Sequence, residues 1–158
     1  MIGAAFRSLA VILTMGSAVA LAAPDPFIGT WVLDRSQSSR ESGTLPERMI
    51  IVMTETGGAV HYRSEAVYAD GRIAVAEYTA DYDGTLAAVS SATGLLAPVS
   101  LKRLADHTVE ASYMRGMRVI ATARRTTTED GKLMTITTLS KDEHQNEQTR
   151  VAVFRHVQ

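Results

Sequence analysis

The chain has 158 residues, sixteen basic and seventeen acidic side chains for a formal charge of −1, and no cysteine. With no basic stripe and no acidic tail, nothing in it asks for nucleic acid or a charged membrane surface. The missing cysteines exclude a disulfide framework and a lipid-modified cysteine, so core packing alone has to hold the fold.

The first 23 residues read as a signal peptide. Arg7 precedes an apolar stretch from Leu9 to Leu21, and the small residues Ala20, Ala22 and Ala23 come before Pro24. That stretch, interrupted by Thr14, Gly16 and Ser17, falls short of the roughly 20 residues of a membrane span. Cleavage after Ala22 or Ala23 is expected, with export to the periplasm or medium and no stable membrane insertion. Residues 24–158 then form one domain, large enough to bury a core.

From Phe27 the text reads as short β-type runs rich in Val, Ile, Thr, Tyr and Phe. They are expected over 27–34, 49–55, 59–69, 73–82, 99–104, 108–114, 117–127, 133–140 and 149–156, with 86–90 a candidate tenth. Asp70-Gly71, Asp83-Gly84, Asp130-Gly131, Gly57-Gly58 and Gly116 supply the positive φ angles of tight turns. Alternation supports the strands, as in "HTVEASYM", where Val109, Ala111 and Tyr113 share a face. In "VAVFRHV" both faces read as covered. The polar run Ser36–Glu47 and the stretch Ser90–Pro98, with its Leu95-Leu96 pair, are expected to be loops, the second either dipping into a core or forming a lid at a cavity mouth. Successive hairpins make an antiparallel meander, and closing it into a barrel of about 8–10 strands removes the exposed edges. In such a barrel the indole of Trp31, preceded by Gly29, suits the seal at one end.

Phe27-x-Gly29-Thr30-Trp31-x-Leu33 resembles the opening motif of the calycin superfamily, the lipocalins and fatty-acid-binding proteins. The order of "YTADYDGTLAAV", "VSLKRLADHTVEASYMRG", "DGKLMTITT" and "VAVFRHV" is similar to that of small exported bacterial lipocalin-like proteins. The resemblance implies an up-and-down all-β barrel. It also implies a late arginine, Arg155 or Arg150, against the Trp31 indole, or Arg155 holding a ligand carboxylate as in fatty-acid-binding proteins. The chain departs from those families in lacking the disulfide of secreted lipocalins and the paired helices that cover fatty-acid-binding proteins.

Chemistry-bearing motifs are sparse. None of His61, His107, His144 and His156 sits in a metal-ligand spacing, no serine lies in Gly-x-Ser-x-Gly, and no motif calls for a cofactor. Aromatic and cationic side chains form the better candidate set for ligand contact. His61, Tyr62, Tyr78, Tyr82, Tyr113 and Arg155 lead it, with Tyr68, Arg103 and Arg125 beside them. Three classes of function remain. A carrier of a small hydrophobic molecule predicts an apolar cavity. A protein-interaction module, adaptor or inhibitor, predicts a barrel filled by its own side chains. A hydrolase-like enzyme predicts His61, a carboxylate and an arginine converging in one pocket.

Overall fold

The computed structural model describes residues 24–41, 44–92, 94–142 and 144–157; the expected signal segment lies outside them. Ten strands follow in order: β1 (Gly29–Arg40), β2 (Arg48–Thr56), β3 (Ala59–Val67), β4 (Ile73–Ala80), β5 (Asp83–Ser91), β6 (Gly94–Ala105), β7 (Thr108–Arg115), β8 (Arg118–Thr127), β9 (Leu133–Lys141) and β10 (Glu147–Val157). Each pairs antiparallel with the next and β1 pairs with β10, so the sheet closes into a barrel. No edge is left for another chain to extend. The seam between β4 and β5 is the thinnest, with one matched pair, Glu77 opposite Ser90.

The period-2 alternation sorts side chains inward and outward. One ring of neighbours runs Trp31, Ile51, Ser64 and Ala76 across β1 to β4, and another runs Val99, Tyr113 and Ala121 across β6 to β8. Phe27, Trp31, Ile51, Met53, Leu101, Met134 and Phe154 are almost wholly buried and form the bulk of the core.

The end where β1 starts is the floor. Trp31 is fully buried there, its indole Nε1 donating to the Phe27 carbonyl at 2.9 Å. Phe27 is itself 1% exposed, and the Asp25 carboxylate ties its segment to Arg103 at 2.6 Å. The Arg103 guanidinium lies 4.1 Å from the Tyr82 ring centroid, so a cation–π pair completes the plug. The residue stacked on Trp31 is His156, with centroids 4.6 Å apart, and its ring fills the space beside Gly29. A Cβ on Gly29 would lie 2.1 Å from His156 Nε2, on a backbone with φ of +136°, which is why that position is a glycine.

Two expected loops are strand in part: residues 36–40 of the first and most of the second, while 44–47 remain outside any strand. β1 continues to Arg40, because Ser38 repairs a bulge between Asp34 and Ser39. Its hydroxyl donates to the Asp34 carbonyl at 2.6 Å and accepts the Val153 N–H at 3.0 Å. The polar residues read as loop therefore replace missing ladder bonds, and Val153 beneath them is buried although it faces outward. Likewise β5 and β6 meet in a hairpin across Ser91 and Gly94, with a register shift between Ala87 and Val89. The small and apolar residues of 90–98 are strand ends, and Leu95 pairs with Ser90 at the barrel rim.

Arg155 points outward, away from Trp31, because its inward neighbours are Phe154 and His156. It pairs with Asp34, donating from Nε at 2.7 Å. Hydrogen bonds from Ser36 and Arg155 hold the Asp34 carboxyl well below its ordinary value of 3.8. A depressed carboxylate contributes stability above its unfolded pKa, and that contribution fades as the pH falls through the folded one. Asp34→Asn should therefore melt below wild type at neutral pH, and the gap should close as the pH is lowered beneath about 4. Parallel melting curves at both pH values would contradict this.

Candidate functional site

Inside the barrel, between the aromatic floor and the mouth, lies a polar cluster on an otherwise apolar wall. The Arg124-Arg125 pair on β8 puts one guanidinium on each face, as successive strand residues must. Arg124 meets Glu110 outside at 3.2 Å. Arg125 turns in and is 2% exposed, with one terminal nitrogen donating to the Tyr78 hydroxyl at 2.6 Å. Its guanidinium sits 4.7 Å from the Tyr62 ring centroid, and Tyr62 and Tyr78, opposite each other on β3 and β4, stack with centroids 4.7 Å apart. Burial pushes both phenols above their ordinary value of 10.0, with the Arg125 charge opposing the shift. They are neutral neighbours of a permanent cation.

A second arginine faces the same space. Arg150 of β10 stands directly opposite Thr138 of β9. The Nε atoms of Arg125 and Arg150 and the Thr138 hydroxyl are all buried without a hydrogen-bond partner. All three border a cavity of about 100 Å³, lined also by Leu45, Pro46, Tyr113, Ile136 and Phe154. No carboxylate is among its lining residues. Buried polar atoms are nearly always paired and buried charges compensated, so three orphans around one cavity leave unmet hydrogen-bonding capacity facing a single space. The tyrosine faces offset only part of the charge.

One layer further toward the mouth, at the last β8–β9 pair of Ala121 with Ser140, a wider groove of about 880 Å³ opens at the rim. Arg115, Arg118, Val119, Leu139, Lys141 and Glu147 line it.

Of the residues singled out from sequence, Tyr62, Tyr78 and Tyr113 face the interior, and Tyr62, Tyr113 and Arg150 border the cavity with Arg125. Tyr82 belongs to the floor plug. His61 lies on the outer face of β3, with Nε2 3.3 Å from Glu77 and Arg63 beside that same carboxylate at 3.8 Å. A histidine, a carboxylate and an arginine thus do meet, but on the solvent face and outside both concavities. Arg155 is exchanged for Arg125 and Arg150 as the inward arginines, since parity and not position late in the chain decides which one enters. No cluster of three His, Cys, Asp or Glu side chains able to hold a metal occurs among the described residues. Thr138 was not singled out; its signal is the parity series Met134, Ile136, Thr138, which turns polar at one step.

The chain is thus a closed ten-stranded antiparallel up-and-down barrel with a plugged floor and polar groups inside. The same fold occurs in the crystal structure of zebrafish ileal bile acid-binding protein complexed with cholic acid, with a TM-score of 0.54, 9% identity, and coverage of 84% of this chain and 99% of that one. At that identity the likeness is one of fold. No protein-family model matches the chain, and no curated protein sequence does.

Proposed function

We propose that this protein is an exported carrier whose barrel binds a small amphipathic anion. The anionic head meets Arg125, Arg150 and Thr138, and the apolar body runs past Tyr113 and Met49 toward the mouth. The observation that carries the reading is the trio of unpartnered polar atoms, two of them on arginines, around a cavity with no acidic lining residue. A carboxylate offers several lone-pair sites to such donors. The bile acid-binding neighbour supports small-molecule binding in a barrel of this fold, and the order of residues 1–23 supports export.

Size limits the ligand. A volume of about 100 Å³ holds roughly three waters at about 30 Å³ each, against about 300–1,000 Å³ in sites for drug-sized molecules. The head and a few methylenes fit; a longer body displaces Leu45 and Pro46 or projects from the mouth. The same small volume favours a second reading, a filled barrel that works through its outer surface as an adaptor or inhibitor.

Calorimetric titration with octanoate and with octanol separates the two. The carrier reading predicts that octanoate binds while octanol binds at least about tenfold more weakly, and that Arg125→Gln lowers octanoate affinity by about thirtyfold or more. Equal affinities for the acid and the alcohol, or no binding of either, would reject the anion site and favour the filled barrel.

A further inference from the structure

The β7–β8 hairpin carries a feature that neither the barrel nor the cavity requires. Its two-residue turn is Gly116-Met117, and the Met117 side chain is completely exposed at the apex. Turn apices normally hold small polar residues, so a long apolar chain there gains nothing from folding. Directly beneath it Arg115 and Arg118 face each other as a cross-strand pair, and like charges so placed destabilise a hairpin. Neither makes an ion pair among the described residues. Two further apolar side chains, Val119 at 48% and Leu139 at 52% exposure, lie behind the tip along the rim groove with Lys141.

We propose that this hairpin is a peripheral membrane-docking tip for bilayers with anionic phosphate headgroups. Met117 enters the boundary between headgroups and acyl chains, while Arg115 and Arg118 take phosphates on either side. Contact with phosphate relieves the arginine–arginine repulsion, and apolar insertion buries the exposed methionine; an interfacial element needs both terms. The shape decides against a protein surface or a nucleic acid. The tip is convex and one methionine wide, whereas a protein interface wants a broad packed patch. The molecule's formal charge of −1 offers no continuous track for a polyanion. Whole-chain charge gives no hint of the site, because the two arginines are local to one turn. The tip projects from the mouth, so docking would set the mouth against the bilayer. The contact stands whatever the cavity holds.

Flotation of the mature protein with vesicles of one-third phosphatidylglycerol in phosphatidylcholine, beside pure phosphatidylcholine vesicles, tests this. Binding should be at least about tenfold stronger to the anionic vesicles and fall as salt is raised. Arg115→Gln with Arg118→Gln should weaken it about twenty-fivefold, near fivefold for each arginine, and Met117→Ser by about tenfold. All these residues are exposed, so the variants should melt no lower than wild type, and the double glutamine variant slightly higher. Equal binding to both vesicle types, or full binding by the variants, would overturn the proposal. So would retention on polyglutamate without flotation, which would assign the tip to an acidic protein.

Discussion

Trp31→Ala should cost about 3–5 kcal/mol of unfolding free energy, a large share of the 5–15 kcal/mol typical of a domain. Several losses coincide at this one side chain. The indole is fully buried and stacks on His156, so its removal leaves a void between β1 and β10. Its Nε1 holds the Phe27 carbonyl, so the plug that covers the floor loses its inner anchor. Trp31→Phe keeps a six-membered ring and loses the rest of the indole with its donor, and it should recover about half of the deficit. The check is urea unfolding followed by far-ultraviolet circular dichroism, with an unchanged slope if the barrel still unfolds as one unit. A loss below about 1 kcal/mol would mean that the floor is not sealed as described.

The second large effect concerns Arg125, and its sign is the informative part. Arg125→Met alone strands the buried Tyr78 hydroxyl, at a cost of about 1–3 kcal/mol. Paired with Tyr78→Phe, the change removes both partners of that hydrogen bond together with a buried charge that has no counter-ion. Replacing buried charged groups by apolar ones of similar volume is often neutral or stabilising by about 1–4 kcal/mol. The double variant should therefore be at least as stable as wild type without ligand, and it should lose octanoate binding. A purely structural arginine would behave in the opposite way, the double variant unfolding at lower urea.

Much of the architecture was legible in the sequence. The turn dipeptides and the alternating runs located most strands, and the Gly29–Trp31 pair indicated the floor because a lone large aromatic next to a glycine has few other uses. Strand ends were less legible. The run from Ser36 to Arg40 is polar because Ser38 and Asp34 serve a bulge, and hydroxyls that mend a ladder look in one dimension like those of a loop. The candidate site was legible in composition more than in position. Tyrosines and arginines were the right residue types, and Tyr62, Tyr78 and Tyr113 do face inward. Which arginine enters the barrel depends on strand parity counted across bulges, and one residue of offset separates Arg155, outside on Asp34, from the interior. His156 beside it holds the place against Trp31 that the family resemblance gave to an arginine. The cavity's missing counter-charge could not be read from the chain at all, since acids are plentiful in sequence and only the fold shows that none lines it.

The most direct test of the account is the side-chain ¹⁵Nε–¹Hε resonances of Arg125 and Arg150, assigned by substitution and followed during titration with octanoate and, separately, octanol. Both Nε–H groups are without an acceptor, so an arriving carboxylate should shift the two resonances together, saturably and with the calorimetric affinity, while octanol leaves them in place. Resonances that stay still during octanoate binding, or that move equally with the alcohol, would show that the interior arginines do not receive an anion.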